Sequence, residues 1–295
     1  MSVLRGKVFF QKLYWTNDVT INCGTDGRLN QPNFEGVYGI TANPLRLIYL
    51  MGTIWYLSQK CKHNHVQVLE VGSWCGASTL TWGECIEKYF NSNGSITCVD
   101  AWVPYIDLGA NPTEDIQMMD DALRKNEVFD VFKHNIQFLP NSIEIKIHKG
   151  WSQDILPSLK KETYDLVYID GDHKYDTVVS DIKNAVPLLR NGGVMCGDDL
   201  ELQLHECESS ISNINHNVDR LYNEALDTYY FPGVTQAVGE YFGAISSWAG
   251  YWAVEKCDNG WKDISLEHMP ANIPSHLNPK SLIGLKVVLM KMGLF

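Results

Sequence analysis

The sequence predicts an α/β fold: a doubly wound, mostly parallel seven-stranded sheet with an antiparallel closing hairpin. Three observations predict it. Short apolar runs alternate with helix-length amphipathic segments from about residue 66 to residue 200, the pattern of a parallel sheet covered by helices on both faces. The first apolar run leads straight into a glycine-containing turn, Gly72-Ser-Trp-Cys-Gly76, where the backbone can bend tightly and approach a ligand. Several of the runs end in acids, at Asp100, Asp170 and Asp198-Asp199, and ligands in such sheets lie beyond the carboxyl ends of the strands.

The elements follow in order. Residues 1 to about 40 show no period and read as a loose arm. Asn43-Pro44 reads as an N-cap followed by proline at the first helical position, with a helix running to about Lys60. Val66 to Val71 is a short apolar strand, Gly76 to about Phe90 a helix, and Ser95 to Asp100 a second strand. An insert from about 103 to 140 holds helical material starting at Thr113, its expected N-cap. Ile143 to His148 alternates as a strand, Gln153 to Lys160 is a short helix, and Tyr164 to Asp170 is an apolar strand ending in an acid. Tyr175 to Leu189 is amphipathic, with Val178, Val179, Ile182, Ala185 and Val186 on one side. Asn191-Gly-Gly193 should end that helix before a strand at Val194 to Gly197. Glu201 to Tyr230 reads as helical, Pro232 to Phe242 as another helix, and residues 243–247 and 251–255 as a closing strand pair. An amphipathic stretch at Ser281 to Met292 follows. The expected organisation is an arm and helix over 1–60, the main domain over 61–256 with the insert shaping an acceptor site, and a tail with a helix over 257–295.

Composition narrows the partners. The 295 residues include 24 Lys plus Arg and 35 Asp plus Glu, a formal net charge of -11. That sign repels phosphate backbones, so nucleic acid is not an expected partner. The eight cysteines are scattered without a C-x-x-C pair, as reduced thiols are in a reducing compartment. The first fifteen residues lack a secretory pattern. The apolar stretch from Leu45 to Leu57 contains Arg46 and is too short to span a bilayer. The expectation is a cytoplasmic protein with no membrane partner, and homo-oligomerisation is left open.

Four places carry chemistry. Glu70-Val-Gly72 ends the first strand, and Asp100 ends the second about 30 residues later. An acid there can accept hydrogen bonds from the ribose of a nucleoside. The spacing E-x-G-x-x-x-G differs from the dinucleotide pattern G-x-G-x-x-G. The plain alternative is a turn that only joins strand to helix. The third place is Asp170-Gly-Asp172-His173-Lys174, and the fourth is Gly197-Asp198-Asp199. Like charges crowded at neighbouring strand ends need a cation or a raised pKa to persist. Asp170, Asp198 and Asp199 can converge on one hard cation, and carboxylate oxygens suit Mg²⁺ or Mn²⁺ better than Zn²⁺. The plain alternative here is helix capping by Asp172 and Asp199.

At these residues the sequence resembles the class I S-adenosylmethionine-dependent methyltransferases, within them the small-molecule O-methyltransferase branch of cephalosporin-pathway, macrocin and aminocoumarin-sugar enzymes. The resemblance rests on VLEVGSWCGAST at 68–79, VDAW at 99–102, HKGWS at 148–152, YDLVYIDGDHKYDTVVSDI at 164–182 and LLRNGGVMCGDD at 188–199. It implies a cofactor site built from Glu70, Gly72, Ser73, Gly76 and Ser78 around the methionine part. Asp100 and Trp102 would serve the ribose, Trp151 and Ser152 the adenine, and Asp170 would line the same cleft. It implies metal ligands at Asp170, Asp198 and Asp199, and a general base at Asp172. His173 is the competing base, its ordinary pKa of about 6.5 suiting the task better. One departure is Asp198, where many relatives carry histidine before the acid. Lys174 is a weaker base candidate, His205 and His216 read as surface residues, and Trp248, Tyr251 and Trp252 as core.

The expected activity is transfer of a methyl group from S-adenosylmethionine to a hydroxyl of a small polar acceptor, a sugar or glycosylated metabolite, assisted by Mg²⁺ or Mn²⁺. Two rivals remain at this point. A nicotinamide-dependent oxidoreductase would leave the acidic cluster without a role. An inactive cofactor-binding interaction module would not need the cluster intact.

Overall fold

The structure, a computed structural model, describes residues 30–40, 43–61, 63–111, 113–207 and 218–277. The arm up to residue 29, His216 and the expected helix at 281–292 lie outside them.

The first helix, α1, spans Pro44–Ser58. Asn43 caps it, its side chain accepting from the Leu45 N–H, and Pro44 occupies the first turn where no N–H is needed. Leu50, Met51 and Ile54 are fully buried, each contributing about 1.5–3 kcal/mol of burial. The main domain then alternates: β1 (Val66–Val71), α2 (Ala77–Phe90), β2 (Gly94–Asp100), α3 (Glu114–Arg124), α4 (Glu127–Asn135), β3 (Glu144–Lys149), α5 (Ser152–Ile155), β4 (Tyr164–Ile169), α6 (Tyr175–Ala185) and β5 (Leu189–Leu200). β6 (Leu221–Asn223) and β7 (Thr228–Tyr230) form a separate antiparallel pair. The described chain ends with α7 (Pro232–Phe242), β8 (Ser247–Trp248), β9 (Gly250–Cys257) and β10 (Gly260–Asp263).

The main sheet has eight strands in the order β10-β9-β5-β4-β1-β2-β3, with β8 pairing onto β9. β3, β2, β1, β4 and β5 run parallel, β9 pairs antiparallel with β5, and β10 antiparallel with β9. The central strands are buried on both faces, which is why they read as continuous apolar runs. Leu166 and Tyr168 of β4 join the core cluster of α1 and α2, while Val167 and Ile169 join that of α6 and α7. Strand order reverses at β1, which pairs with both β2 and β4. A ligand crevice is expected beyond the carboxyl ends of the strands at that switch point.

Three sequence expectations need correction. The described residues of the stretch Glu201 to Tyr230, 201–207 and 218–230, form no α-helix: they hold a 3-10 turn at Leu204–Glu206 and the β6–β7 hairpin. Tyr222 and Tyr229 pair across that hairpin with ring centroids 4.9 Å apart, and Asn223 accepts from the Leu226 N–H in the turn. Such cross-strand aromatic pairs and asparagine turns stabilise hairpins. Asn191-Gly-Gly193 does not terminate the helix, which ends at Ala185, but bulges out of β5. There Tyr164 pairs with Leu189 and Leu166 with Val194, so the extra β5 residues loop away, with Gly192 at φ +78. Thr113 precedes α3 without a side-chain cap. The closing pair is present and extended by β10. Tyr251 and Trp252 are core residues as expected. No described helix is long and apolar enough to cross a membrane.

Candidate active site

The turn after β1 is built around Gly72, whose φ is +85. A Cβ on Gly72 would lie 1.9 Å from the Asp170 carbonyl oxygen, so the turn after β1 and the end of β4 touch backbone to backbone. Gly76, at φ +87, precedes the first turn of α2. Glu70 lies beneath this turn, fully buried. Its carboxylate accepts from the Ser73 and Thr79 hydroxyls and, at 3.0 Å, from the Trp82 indole. Burial raises its pKa, and the Ser78, Thr79 and Ser73 hydroxyls oppose that rise. Glu70 thus gathers the Ser73 and Ser78 hydroxyls and holds the turn from below. Beside them the Trp74 indole N–H is buried with no acceptor in reach among the described residues, a donor left over for a ligand.

Asp100 closes β2 against the same turn. One carboxylate oxygen accepts from the N–H groups of Ser73 and Trp74, each at 2.9 Å, and the other from Trp102 at 2.7 Å. Burial raises its pKa and the three N–H donors pull it back. A carboxylate offers about four acceptor positions, so one remains for a ribose hydroxyl. The Trp102 side chain packs into the core. It is buried, 4.7 Å from both Phe129 and Phe132 of the insert, and its indole donates to the Trp74 carbonyl at 2.8 Å. It supports the turn from the core side. Trp151, after β3, is 45% exposed, free to border a flat ring. Ser152 donates to Asp181 of α6 at 2.5 Å. Burial pushes the Asp181 carboxyl up to about 7.

The acidic residues do converge. Asp170, at the end of β4, accepts from the Tyr168 hydroxyl at 2.9 Å. Asp198 and Asp199 are buried at the end of β5, with Asp199 at φ +66. The positive partner the sequence did not supply is Arg46 of α1. Its guanidinium meets Asp198 at 2.6 Å, Asp199 at 2.8 Å and Glu201, and donates to the Ala249 carbonyl at 3.0 Å. His173 completes the cluster. Its Nε2 lies 2.9 Å from Asp199 and its Nδ1 lies 2.7 Å from Asp219, which precedes the β6–β7 hairpin. The insert fixes Asp219 in turn, since Asn111 accepts from its N–H at 2.9 Å. Phe231, at the other foot of the hairpin, meets the His173 ring edge-on at 4.5 Å.

This geometry revises two expected roles. Asp172 faces the start of α6, accepting from the Thr177 hydroxyl at 3.1 Å with the Lys174 ammonium 3.4 Å away. It ties the turn before α6 to Thr177, and His173 is the residue that faces the cluster. Asp198 is turned to Arg46 and to the Asp199 N–H. The three residues whose ligand atoms lie within 4.8 Å of one another are Asp170, His173 and Asp199. Asp198, the third aspartate expected there, is not among them.

Five carboxylates (Asp170, Asp198, Asp199, Glu201 and Asp219) face two cationic groups, Arg46 and His173. Burial opposes the charge on His173, but Asp219 and Asp199 outweigh it and hold its pKa well above 6.5. Burial would also raise Asp199, yet His173 and Arg46 hold it below the usual carboxylate range. Burial pushes Asp198 up to about 6 and Glu201 up to about 7, each against the pull of Arg46. Asp170 is raised well above its usual range by burial and by Asp198 and Asp199. The crowding of like charge is thus greatest at Asp170, beside the switch point, where a proton or a divalent cation would relieve it.

Sequence reasoning missed Arg46, Asp219, Glu201 and Asp181. Arg46 did leave a signal, a lone arginine in an otherwise apolar helix. Asp219 left none, because its segment was read as helix.

Residues 69–200, from β1 to the end of β5, match the model of a methyltransferase domain. No curated protein matches the chain. Among solved structures, the chain is similar to the O-methyltransferase NovP, at 17% identity over 72% of this chain and 79% of that one, with a TM-score of 0.47. It is also similar to an O-methyltransferase from Bacillus cereus in complex with SAH, at 16% identity over 75% and 87%, with a TM-score of 0.40. A third is CalS11, a TDP-rhamnose 3'-O-methyltransferase, at 14% identity over 70% and 78%, with a TM-score of 0.39.

Proposed function

We propose that the methyltransferase domain of this enzyme takes S-adenosylmethionine as donor and methylates a hydroxyl of a small polar acceptor, a sugar or glycosylated metabolite, with Mg²⁺ or Mn²⁺ at the acidic cluster. The observation that carries this reading is one juxtaposition. The turn at Gly72 touches the backbone of Asp170, so a nucleoside-type turn and a net-negative cluster share the switch point. A nicotinamide enzyme has no use for that cluster.

In the proposed reaction a substrate oxygen attacks the sulfonium methyl carbon, the carbon–sulfur bond breaks, and the hydroxyl proton passes to a base. Asp100, the Gly72 turn and the free Trp74 N–H hold the donor, with Trp151 bordering its adenine. Asp170 and Asp199 would hold the divalent cation, which when bound lowers the pKa of a nearby hydroxyl. His173 takes the proton through Nε2, the nitrogen facing the cluster, while Asp219 holds the Nδ1–H and fixes the ring. Burial beneath the hairpin keeps the oxygen, carbon and sulfur aligned and dry, and positioning is a large part of the rate in such displacements. The insert and the β6–β7 hairpin, joined through Asn111 and Asp219, wall the acceptor side.

The test is transfer of labelled methyl from S-adenosylmethionine to a panel of sugars and nucleotide sugars. The reading expects label on hydroxyl oxygen, lost in excess EDTA and restored by Mg²⁺ or Mn²⁺. Full transfer in EDTA would remove the cation from the proposal, and label on nitrogen or carbon would remove the hydroxyl.

A further inference from the structure

At the amino-terminal edge of the sheet, opposite the methyl-transfer edge, lies a second cluster that the reaction does not use. Cys61 follows α1, its N–H bonded to the Leu57 carbonyl at 2.8 Å. His63 stands in the linker to β1, and Asp165 is buried in β4. One ligand atom from each of the three lies within 4.8 Å of the others. Two features hold the carboxylate in place. One oxygen accepts from the Gln67 N–H at 2.8 Å, and the other meets the Arg190 guanidinium at 2.7 Å. Arg190 sits on the bulge made by Asn191-Gly-Gly193, the motif left without a role in the reaction.

We propose that Cys61, His63 and Asp165 form a zinc site. The chemistry of the donors selects the metal. A thiolate and an imidazole suit Zn²⁺, whereas the oxygen-rich cluster at the other edge suits Mg²⁺ or Mn²⁺. The geometry is near that of a bound ion: His63 Nε2 and the Asp165 carboxylate oxygen are 3.1 Å apart. The edge of a tetrahedron with arms of about 2.0–2.1 Å is roughly 3.3 Å. Zn²⁺ takes the position between these two atoms and displaces the Cys61 thiol proton, and any proton on His63 Nε2, to solvent. Burial and the nearby Asp165 hold that thiol up to about 11, with Arg190 pulling it down, so metal and proton compete for the sulfur. Thiolate and carboxylate offset the two charges of the ion, and Arg190, 2.7 Å from the same carboxylate oxygen that faces His63, leaves the site with one positive charge in excess. The fourth position opens to solvent on the side of His63, which is 46% exposed. The site straps the end of α1, and thus the helix that carries Arg46, to β4.

The test uses untagged full-length protein, stripped with EDTA and handled without oxygen, titrated with Co²⁺ as the spectroscopic probe and then with Zn²⁺. The expected result is a sulfur-to-cobalt charge-transfer band that saturates at about one Co²⁺ per chain and is bleached by Zn²⁺. The band is absent in Cys61→Ser, and His63→Gln binds at least ~10-fold more weakly. Asp170→Asn, in the other cluster, leaves the band intact, so failure here is separable from failure of the proposed reaction. No band in the wild-type protein overturns the site before any variant is made. A band that survives Cys61→Ser, or vanishes in Asp170→Asn, places the metal elsewhere and also overturns it.

Discussion

At the residue scale the site is an arrangement of charge, and Arg46 decides it. One guanidinium meets three acids, Asp198, Asp199 and Glu201. Removing one partner from a buried charge cluster costs about 3–5 kcal/mol because the others remain uncompensated. Arg46→Met should therefore destabilise the fold by roughly that amount at neutral pH. The sign of its pH dependence is fixed. Without the arginine, the folded-state pKa values of Asp198 and Glu201 rise further above their unfolded values near 4, and Asp199 loses part of what holds it low. The variant's deficit is then largest above pH 7 and shrinks as pH falls toward 4. Denaturant unfolding at pH 4.5 and 7.5 checks this, and an equal deficit at both would contradict it. His173 makes a kinetic forecast. Its pKa is held well above 6.5 by Asp219 and Asp199 against burial, so its neutral, proton-accepting form grows as pH rises above neutrality. Turnover should climb through that range. His173→Asn should lower kcat by at least ~10²-fold, and Asp172→Asn should be milder. Asp219→Asn should lower kcat while S-adenosylhomocysteine affinity holds. Near-normal turnover in His173→Asn would return the role of base to Asp172.

At the element scale, the strands and helices from residue 66 to residue 200 were legible because double burial leaves apolar runs and capping leaves Asn43-Pro44. The hairpin at Leu221–Tyr230 was not, because its Leu, Ala and Glu content mimics helix while its strands of three residues are too short to show alternation. The bulge at Asn191-Gly-Gly193 misled for a related reason: a glycine pair after an amphipathic run is the same in a C-cap and a strand bulge. Within the site, the sequence named the strand-end acids but not their directions. Asp172 and Asp198 are each one residue from a member of the converging set, and side-chain direction at a strand end is set by the next element. Two tests belong here. Gly72→Ala would drive a Cβ into the Asp170 carbonyl, 1.9 Å away, so cofactor affinity and stability should fall together. The α5–α6 link rests on Asp181, whose folded pKa is raised by burial to about 7. A raised carboxyl contributes stability fully below its unfolded value near 4 and loses it as pH rises through 7. Asp181→Asn should therefore gain relative to wild type between pH 4 and pH 7, and a flat difference across that window would contradict the assignment.

At the scale of the whole molecule, segments far apart in the chain close on one edge of the sheet. Helix α1 delivers Arg46, the insert delivers Asn111, and the region before β6 delivers Asp219. The central parallel strands supply the acids, and residues 69–200 match the model of a methyltransferase domain. The central claim is that this edge receives S-adenosylmethionine. Asp100 anchors the turn through three N–H groups and has one acceptor position left for the ribose. Loss of a bond to a charged acceptor costs about 1.5–3 kcal/mol, at least a tenfold loss of affinity. The most direct measurement is calorimetric titration of the full chain with S-adenosylhomocysteine, repeated on Asp100→Ala and with NAD as competitor. The account predicts one S-adenosylhomocysteine per chain, affinity at least ~10-fold weaker in Asp100→Ala, and no heat from NAD. Saturable binding of NAD without binding of S-adenosylhomocysteine, or equal affinity in Asp100→Ala, would contradict it.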